Sequence, residues 1–144
     1  MTIPPVLIAE IGCNHRREID VAKKFVDIAA TFCNVKHVKF QKRNTRELLT
    51  NEQYSMPHPV PENSYGKTYG EHRDHLEFTK EQHRDLKKYC EERDVVYSTS
   101  IWDIPSFIDI LDLEPIYLKI PSALNTDYEL LDLVSSKFPR DLHL

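Results

Sequence analysis

The feature that most limits what this chain can fold into is a regular alternation of short apolar runs with amphipathic stretches, without a hairpin signal between them. Strand-like runs recur at Val6–Gly12, Val35–Lys42, Val95–Ser100, Ile116–Ser122 and Asp141–Leu144. The intervening spacing predicts helices. Val21, Phe25, Ile28 and Phe32 fall at i, i+4, i+7 and i+11, so a helix over Glu18–Phe32 should present one apolar stripe. Thr79 and Gln82 make a capping box for a second helix, with Leu86 and Cys90 inward. Asp103 is placed to cap a third, with Ile104, Phe107, Ile108 and Leu111 inward. Thr126 and Glu129 repeat the capping box for a fourth, striped by Leu131, Val134 and Phe138.

Strand and helix in strict turn predict right-handed βαβ units and a parallel sheet. Two architectures use that order, the open doubly wound sheet and the closed (β/α)8 barrel. A glycine-rich turn after the first strand would mark a dinucleotide-binding open sheet, but "EIGCNHRRE" holds one glycine and the whole chain three. Polar residues instead gather at the C-terminal ends of the strands: Glu10, then Lys39 and Gln41, Ser98 and Ser100, Lys119 and Ser122. Barrel active sites form at that end. The expected fold is therefore α/β, the N-terminal half of a (β/α)8 barrel, with about four βα units and the start of strand five, because a whole barrel takes about 250 residues. Closure by a second copy is the alternative, since an uncovered parallel edge invites aggregation.

Composition supports a core, at 40% hydrophobic and 29% charged residues, and the formal charge of -4 gives no footprint for nucleic acid or an anionic membrane. The apolar patch Ile3–Ile11 is broken by two prolines and Glu10 and lacks a basic leader, so the chain reads as cytoplasmic, without a cleaved signal or a membrane span. Cys13, Cys33 and Cys90 are widely spaced and read as reduced thiols, Cys33 and Cys90 buried on apolar helix faces. Residues 43–78 form one long insertion containing "NSYGKTYGEHRDHLEF", whose aromatic residues fit an ordered lid over the barrel mouth.

Lys39 and Lys119 are the sharpest chemical signal. Two ammonium groups at the rim of next-but-one strands, with Ser122 three residues on, make an electropositive well for a phosphate or carboxylate. The same residues leave other readings open: each lysine can reach out to solvent, or one can form a Schiff base. Glu10 faces that rim by position, either to orient a polar substrate and exchange protons or to pair with a lysine. Cys13, Asn14 and His15 crowd together, but adjacency supplies neither a nucleophile with its aligned base nor spaced metal ligands. His72 and His75 stand at i, i+3, and no complete metal site is visible.

Five blocks, "IAEIGCNH", "VKFQKRN", "NSYGKTYGEHRDHLEF", "YSTSIWD" and "KIPSALN", in this order and at these spacings, resemble the N-acetylneuraminate (sialic acid) synthase family of phosphoenolpyruvate-dependent nonulosonate synthases. The resemblance implies a (β/α)8 barrel followed by a small antifreeze-like domain that caps the partner's barrel in a homodimer. Residues 1–144 would be the N-terminal part of that barrel, inactive alone. It implies condensation of phosphoenolpyruvate with an N-acetylated hexose, N-acetylmannosamine or a relative, and water, with loss of phosphate. A divalent metal, manganese or magnesium, would polarise the sugar aldehyde.

By motif, Lys39, Lys119 and Ser122 resemble the family's phosphoenolpyruvate ligands, Glu10 its proton-handling carboxylate and Gln41 its sugar-binding amide. The metal ligands are expected beyond Leu144, and His143 is not one of them by motif. Departures fall at glycines. Arg16 and Arg17 interrupt what the family reads as "NHNGD", and Asn34 and Asp94 stand where glycines commonly end helices. Asn and Asp tolerate the left-handed backbone such ends need. Two other functions compete, a Schiff-base aldolase on the same fold and a non-catalytic truncated barrel.

Overall fold

In the computed structural model, described here for residues 5–144, five parallel strands form one sheet in the order β1-β2-β3-β4-β5. They are β1 Ile8–Gly12, β2 His37–Lys42, β3 Val96–Ile101, β4 Tyr117–Lys119 and β5 Asp141–His143. Ile3 and Pro4, the start of the apolar patch, lie outside the described residues. Strict sequential order is the barrel arrangement, because a doubly wound sheet reverses direction at a switch point. Right-handed crossovers then put every connecting helix on one face of the sheet.

Those helices are α1 Ile19–Asp27, α5 Lys80–Glu91, α6 Ile104–Leu111 and α7 Tyr128–Lys137; the insertion supplies α2 Thr45–Leu48, α3 Asn51–Ser55 and α4 Tyr69–His75. Thr79 caps α5 as the capping box predicts, its hydroxyl accepting from Gln82 N–H at 3.2 Å. Each strand divides its side chains by parity. Ile11, Val38, Phe40, Tyr97, Ile101, Leu118 and Ile120 are buried against the helices, in two apolar clusters that also take in Leu86, Cys90, Phe107, Ile110, Leu130 and Val134. The alternate residues, among them Glu10, Lys39, Gln41, Ser98, Ser100 and Lys119, line the opposite, concave face. A chain with polar residues at every second strand position has no other way to build a dry core.

Four sequence expectations are corrected. The inward stripe of α1 is Ala22, Val26 and Ala29, while Ile28 and Phe32 are 51% and 89% exposed. The helix approaches the sheet through small residues, and its last turn widens to a π-helix over Ile28–Phe32, which shifts the angular phase of everything after Asp27. Cys33 ends that turn and is exposed rather than buried, whereas Cys90 is buried as expected. On α6, Ile110 takes the inward place given to Ile108, which is 56% exposed. The cap of α7 is Asp127, which accepts from Leu130 N–H at 3.1 Å; Thr126 does not cap it. A 3₁₀ turn at Ser122–Leu124 takes up the preceding residues and sets the helix start one residue later.

Among the described residues five non-glycines have left-handed backbone: Arg16, Arg17, Asn34, Asp94 and Glu114. Asn34 and Asp94 follow α1's π turn and α5, as expected for residues standing in for terminal glycines. Arg16 (φ 54°) and Arg17 (φ 65°) hold the same conformation without that excuse, at a steric cost of roughly 1–2 kcal/mol each. Arg17→Gly is expected to raise the unfolding free energy by about 0.5–1 kcal/mol, the relief of strain exceeding glycine's extra chain entropy. Urea midpoints of Arg17→Gly and Arg17→Val would check this, the second variant moving the opposite way.

Two buried imidazoles make the fold acid-sensitive. His15 stacks on Phe78 with ring centroids 3.8 Å apart, and its Nδ1 accepts from Arg17 N–H at 3.0 Å. His83 is fully buried, with Nδ1 2.7 Å from the Tyr97 hydroxyl. Burial lowers His15 to about 4 and His83 to about 3. Below pH ~6.5 the unfolded chain binds protons that the folded chain refuses, so stability falls with acid by about 1.4 kcal/mol per pH unit for each imidazole, down to pH 4 or 3. Urea denaturation at pH 7 and pH 5 should show this loss, with His83→Met flattening the slope by roughly half. Equal stability at the two pH values would contradict it.

Candidate active site on the concave face

The parallel register aligns the polar residues into rows. Glu10 is opposite Lys39 and Lys39 opposite Ser98; one rung toward the C-terminal rim, Gln41, Ser100, Lys119 and His143 stand in register across four strands. Lys39 is buried, and its Nζ donates to Glu10 Oε2 at 2.6 Å and to Ser100 Oγ at 2.9 Å. Glu10 itself keeps 59% of its side chain exposed, so the pair faces the open side of the sheet. Lys119 is half-buried and has no hydrogen-bond or ion-pair partner among the described residues. Its register neighbour is Ser100, which already binds Lys39.

Ser100 thus accepts from Lys39 and stands in register with Lys119, and the Glu10 carboxylate pairs with Lys39, so two cations and one carboxylate share this face. The two serines named at the end of β3 separate clearly. Ser100 belongs to this polar group, while Ser98 donates to the Tyr117 carbonyl at 2.7 Å and is structural. Ser122 begins the 3₁₀ turn after β4, exposed, and makes no recorded hydrogen bond to either lysine.

Gln41 is held at the upper rung. Its Oε1 accepts from Cys13 Sγ at 3.4 Å, and its Nε2 would lie 3.4 Å from a Cβ at position 12, where Gly12 has φ +58°. Glycine suits the left-handed backbone there, with Gln41 Nε2 at ordinary contact distance from where a Cβ would stand.

The insertion closes over the same end. Arg43, directly after β2, donates Nε–H to Glu77 Oε1 at 2.7 Å and its backbone N–H to Glu77 Oε2 at 3.0 Å, while Nη2 reaches Cys13 Sγ at 2.7 Å. The side chains are 5% and 11% exposed. Burial pushes the Glu77 carboxyl up against the pull of Arg43, and pushes the Cys13 thiol up as well. Asn44 N–H donates to Asp103 Oδ2 at 2.6 Å, and Asp103 Oδ1 caps α6 through Ser106 N–H at 2.7 Å. Residues 43–78 therefore carry the helices α2 to α4 and are clasped at their base by Arg43 and Glu77. Tyr65 and Leu76 border a cavity of about 740 Å³ along β1 that Glu10, Cys13 and Arg16 also line. The sequence reading missed the Arg43–Glu77 pair. The motif "VKFQKRN" contains Arg43, but nothing local signals a partner 34 residues away.

The chain matches the NeuB family over residues 25–144. It belongs to that family. It is 33% identical over 134 residues to N-acetylneuraminate-9-phosphate synthase of Homo sapiens, covering 93% of this chain and 37% of that one. It is 24% identical over 131 residues to N,N'-diacetyllegionaminic acid synthase of Campylobacter jejuni, covering 90% and 39%. Among solved structures, N-acetylneuraminic acid (sialic acid) synthetase of Leptospira borgpetersenii superposes with a TM-score of 0.73 at 23% identity, over 93% of this chain and 42% of that one. That likeness fixes the fold as part of a NeuB-type (β/α)8 barrel. The chain spans little more than a third of the length of the curated relatives it matches. Among the described residues no group of three or more His, Cys, Asp or Glu could hold a metal ion, and no helix is long and apolar enough to cross a membrane.

Proposed function

We propose that this NeuB-family chain is the phosphoenolpyruvate-binding part of a nonulosonate synthase, which joins phosphoenolpyruvate to an N-acetylated amino sugar of the N-acetylmannosamine type. The observation that carries this reading is the Lys39–Ser100–Lys119 group beside Glu10. Phosphoenolpyruvate carries a phosphate and a carboxylate on adjacent carbons. Two ammonium groups separated by a hydroxyl donor fit two anionic ends better than either end alone. Glu10 aims the Lys39 ammonium, and its exposed carboxylate is placed to accept a hydroxyl or water proton at the edge of the well. Gln41 offers its amide one rung higher, where an oxygen-rich sugar would lie. Ser122 lies close by in sequence and adds a donor from the following turn.

A divalent cation, manganese or magnesium, would supply Lewis-acid polarisation of the sugar aldehyde. Among the described residues no cluster of ligands composes its site. The homodimer, the capping domain and a cytoplasmic location belong to the same proposal. The Schiff-base aldolase would fall to Lys119, because Lys39 Nζ is already engaged by Glu10 and Ser100.

Titration of the chain with phosphoenolpyruvate, followed calorimetrically, tests the reading. Saturable binding is expected, weakened by about tenfold in Lys119→Ala, the equivalent of one ion-assisted contact of ~1.4 kcal/mol. Undiminished binding in that variant, or none in the parent chain, would sink it.

A further inference from the structure

We propose that Glu77, Arg43 and Cys13 form a positioning chain that fixes the side-chain amide of Gln41 in one orientation, so that the seating of the 43–78 insertion is transmitted to the face that meets the sugar. The inference rests on the reading of Gln41 as a sugar-facing residue. It adds three residues that do not themselves touch substrate.

The chain of contacts is continuous. Glu77 holds Arg43 at two points, the Nε–H and the backbone N–H, which leaves little freedom to the guanidinium plane. Its remaining edge delivers Nη2 to Cys13 Sγ at 2.7 Å. Trp102 backs the guanidinium with its ring 5.7 Å away. Cys13 has one proton, and with Arg43 donating to its sulfur that proton is left for its one other side-chain partner among the described residues, Gln41 Oε1 at 3.4 Å. Burial keeps the thiol protonated, so the donor is present at neutral pH.

The consequence falls on the amide. With Oε1 turned to the thiol, Nε2 lies beside Gly12, and its two N–H groups are offered to an acceptor oxygen. A reversed amide would set N–H groups against a thiol already receiving a guanidinium. Glu77 sits at the end of the insertion and Arg43 at its start, so unseating the insertion releases Cys13 and then Gln41.

The test is made on the whole 144-residue chain labelled with 15N, reading the Gln41 side-chain NH2 resonances, assigned by their loss in Gln41→Glu. In the parent chain the two protons are expected to give one pair of sharp resonances displaced from those of a free glutamine amide, as a single orientation requires. Cys13→Ser keeps an O–H donor and is expected to retain most of that displacement, while Cys13→Ala and Cys13→Val, the latter close to cysteine in size, lose most of it with the hydrogen bond. Rescue by serine alone separates positioning from mere packing, which valine would satisfy. A parallel titration with N-acetylmannosamine should weaken by about tenfold in Cys13→Val and stay near parent in Cys13→Ser. If the chain takes up no sugar while the amide responds as described, the substrate reading fails and the positioning chain stands. If the amide is unchanged in both Cys13→Ala and Cys13→Val, the positioning chain is overturned even where sugar binds.

Discussion

Arg43→Met is expected to lower the unfolding free energy by about 3–5 kcal/mol, among the largest losses any single substitution in this chain should produce. Arg43 and Glu77 are both buried, and removing the guanidinium leaves a carboxylate whose Oε1 loses its Nε–H donor in a site that water barely reaches. The backbone N–H of Arg43 still donates to Oε2, so part of the pairing survives and the lower end of the range applies at acid pH, where Glu77 can take up a proton. Glu77→Leu, which orphans the cation instead, should cost a similar amount. The double variant Arg43→Met with Glu77→Leu should recover most of the loss, because a buried ion pair is weak as net stabilisation yet costly to break. Urea denaturation of the two single variants and the double variant checks this. Additive losses in the double variant would contradict the argument.

Lys39→Met is expected to weaken phosphoenolpyruvate binding by about 100-fold, ~2.7 kcal/mol, with little effect on stability. The lysine stem is buried and methionine fills the same channel, while Glu10, being exposed, is returned to water rather than stranded. The electrostatic change is larger than the loss of one donor. With Lys39 gone, Lys119 alone faces the substrate and the Glu10 carboxylate repels it, so a well with one excess positive charge becomes neutral. Lys39→Arg should recover less than half of the binding energy, since a planar guanidinium cannot reproduce the pair of bonds to Glu10 and Ser100 in a space shaped for an ammonium. Calorimetric titration of the variants at fixed ionic strength reads the effect. Affinity within threefold of the parent chain in Lys39→Met would remove Lys39 from the site.

The strand ends were legible because parity in a parallel sheet is rigid. A lysine two residues before a glutamine on β2, and a lysine on β4, must share a face once the strands are named, and register then sets Gln41, Ser100 and Lys119 in one row. The helix faces were less legible. In α1 the bulky apolar residues mark the periphery and the alanines mark the core, which reverses the usual weight given to side-chain size. His15 looked like part of a reactive triplet, but stacking on Phe78 makes it a core residue, and Phe78 lies on the far side of the insertion where local sequence cannot announce it. Cys13 looked idle for the same reason. Its partners Gln41 and Arg43 come from another strand and its following loop, and only the fold joins them.

The clasp at the base of the insertion also bears on how such a chain can vary. Arg43 is tied to Glu77, and Asn44 to Asp103, before the segment departs, so its two ends are already together and its interior is a side loop whose closure does not draw on the sheet. Each doubling of a flexible loop costs only about 0.6 kcal/mol. Residues between Thr45 and Leu76 can therefore be gained, lost or exchanged while Lys39 and Gln41 keep their places.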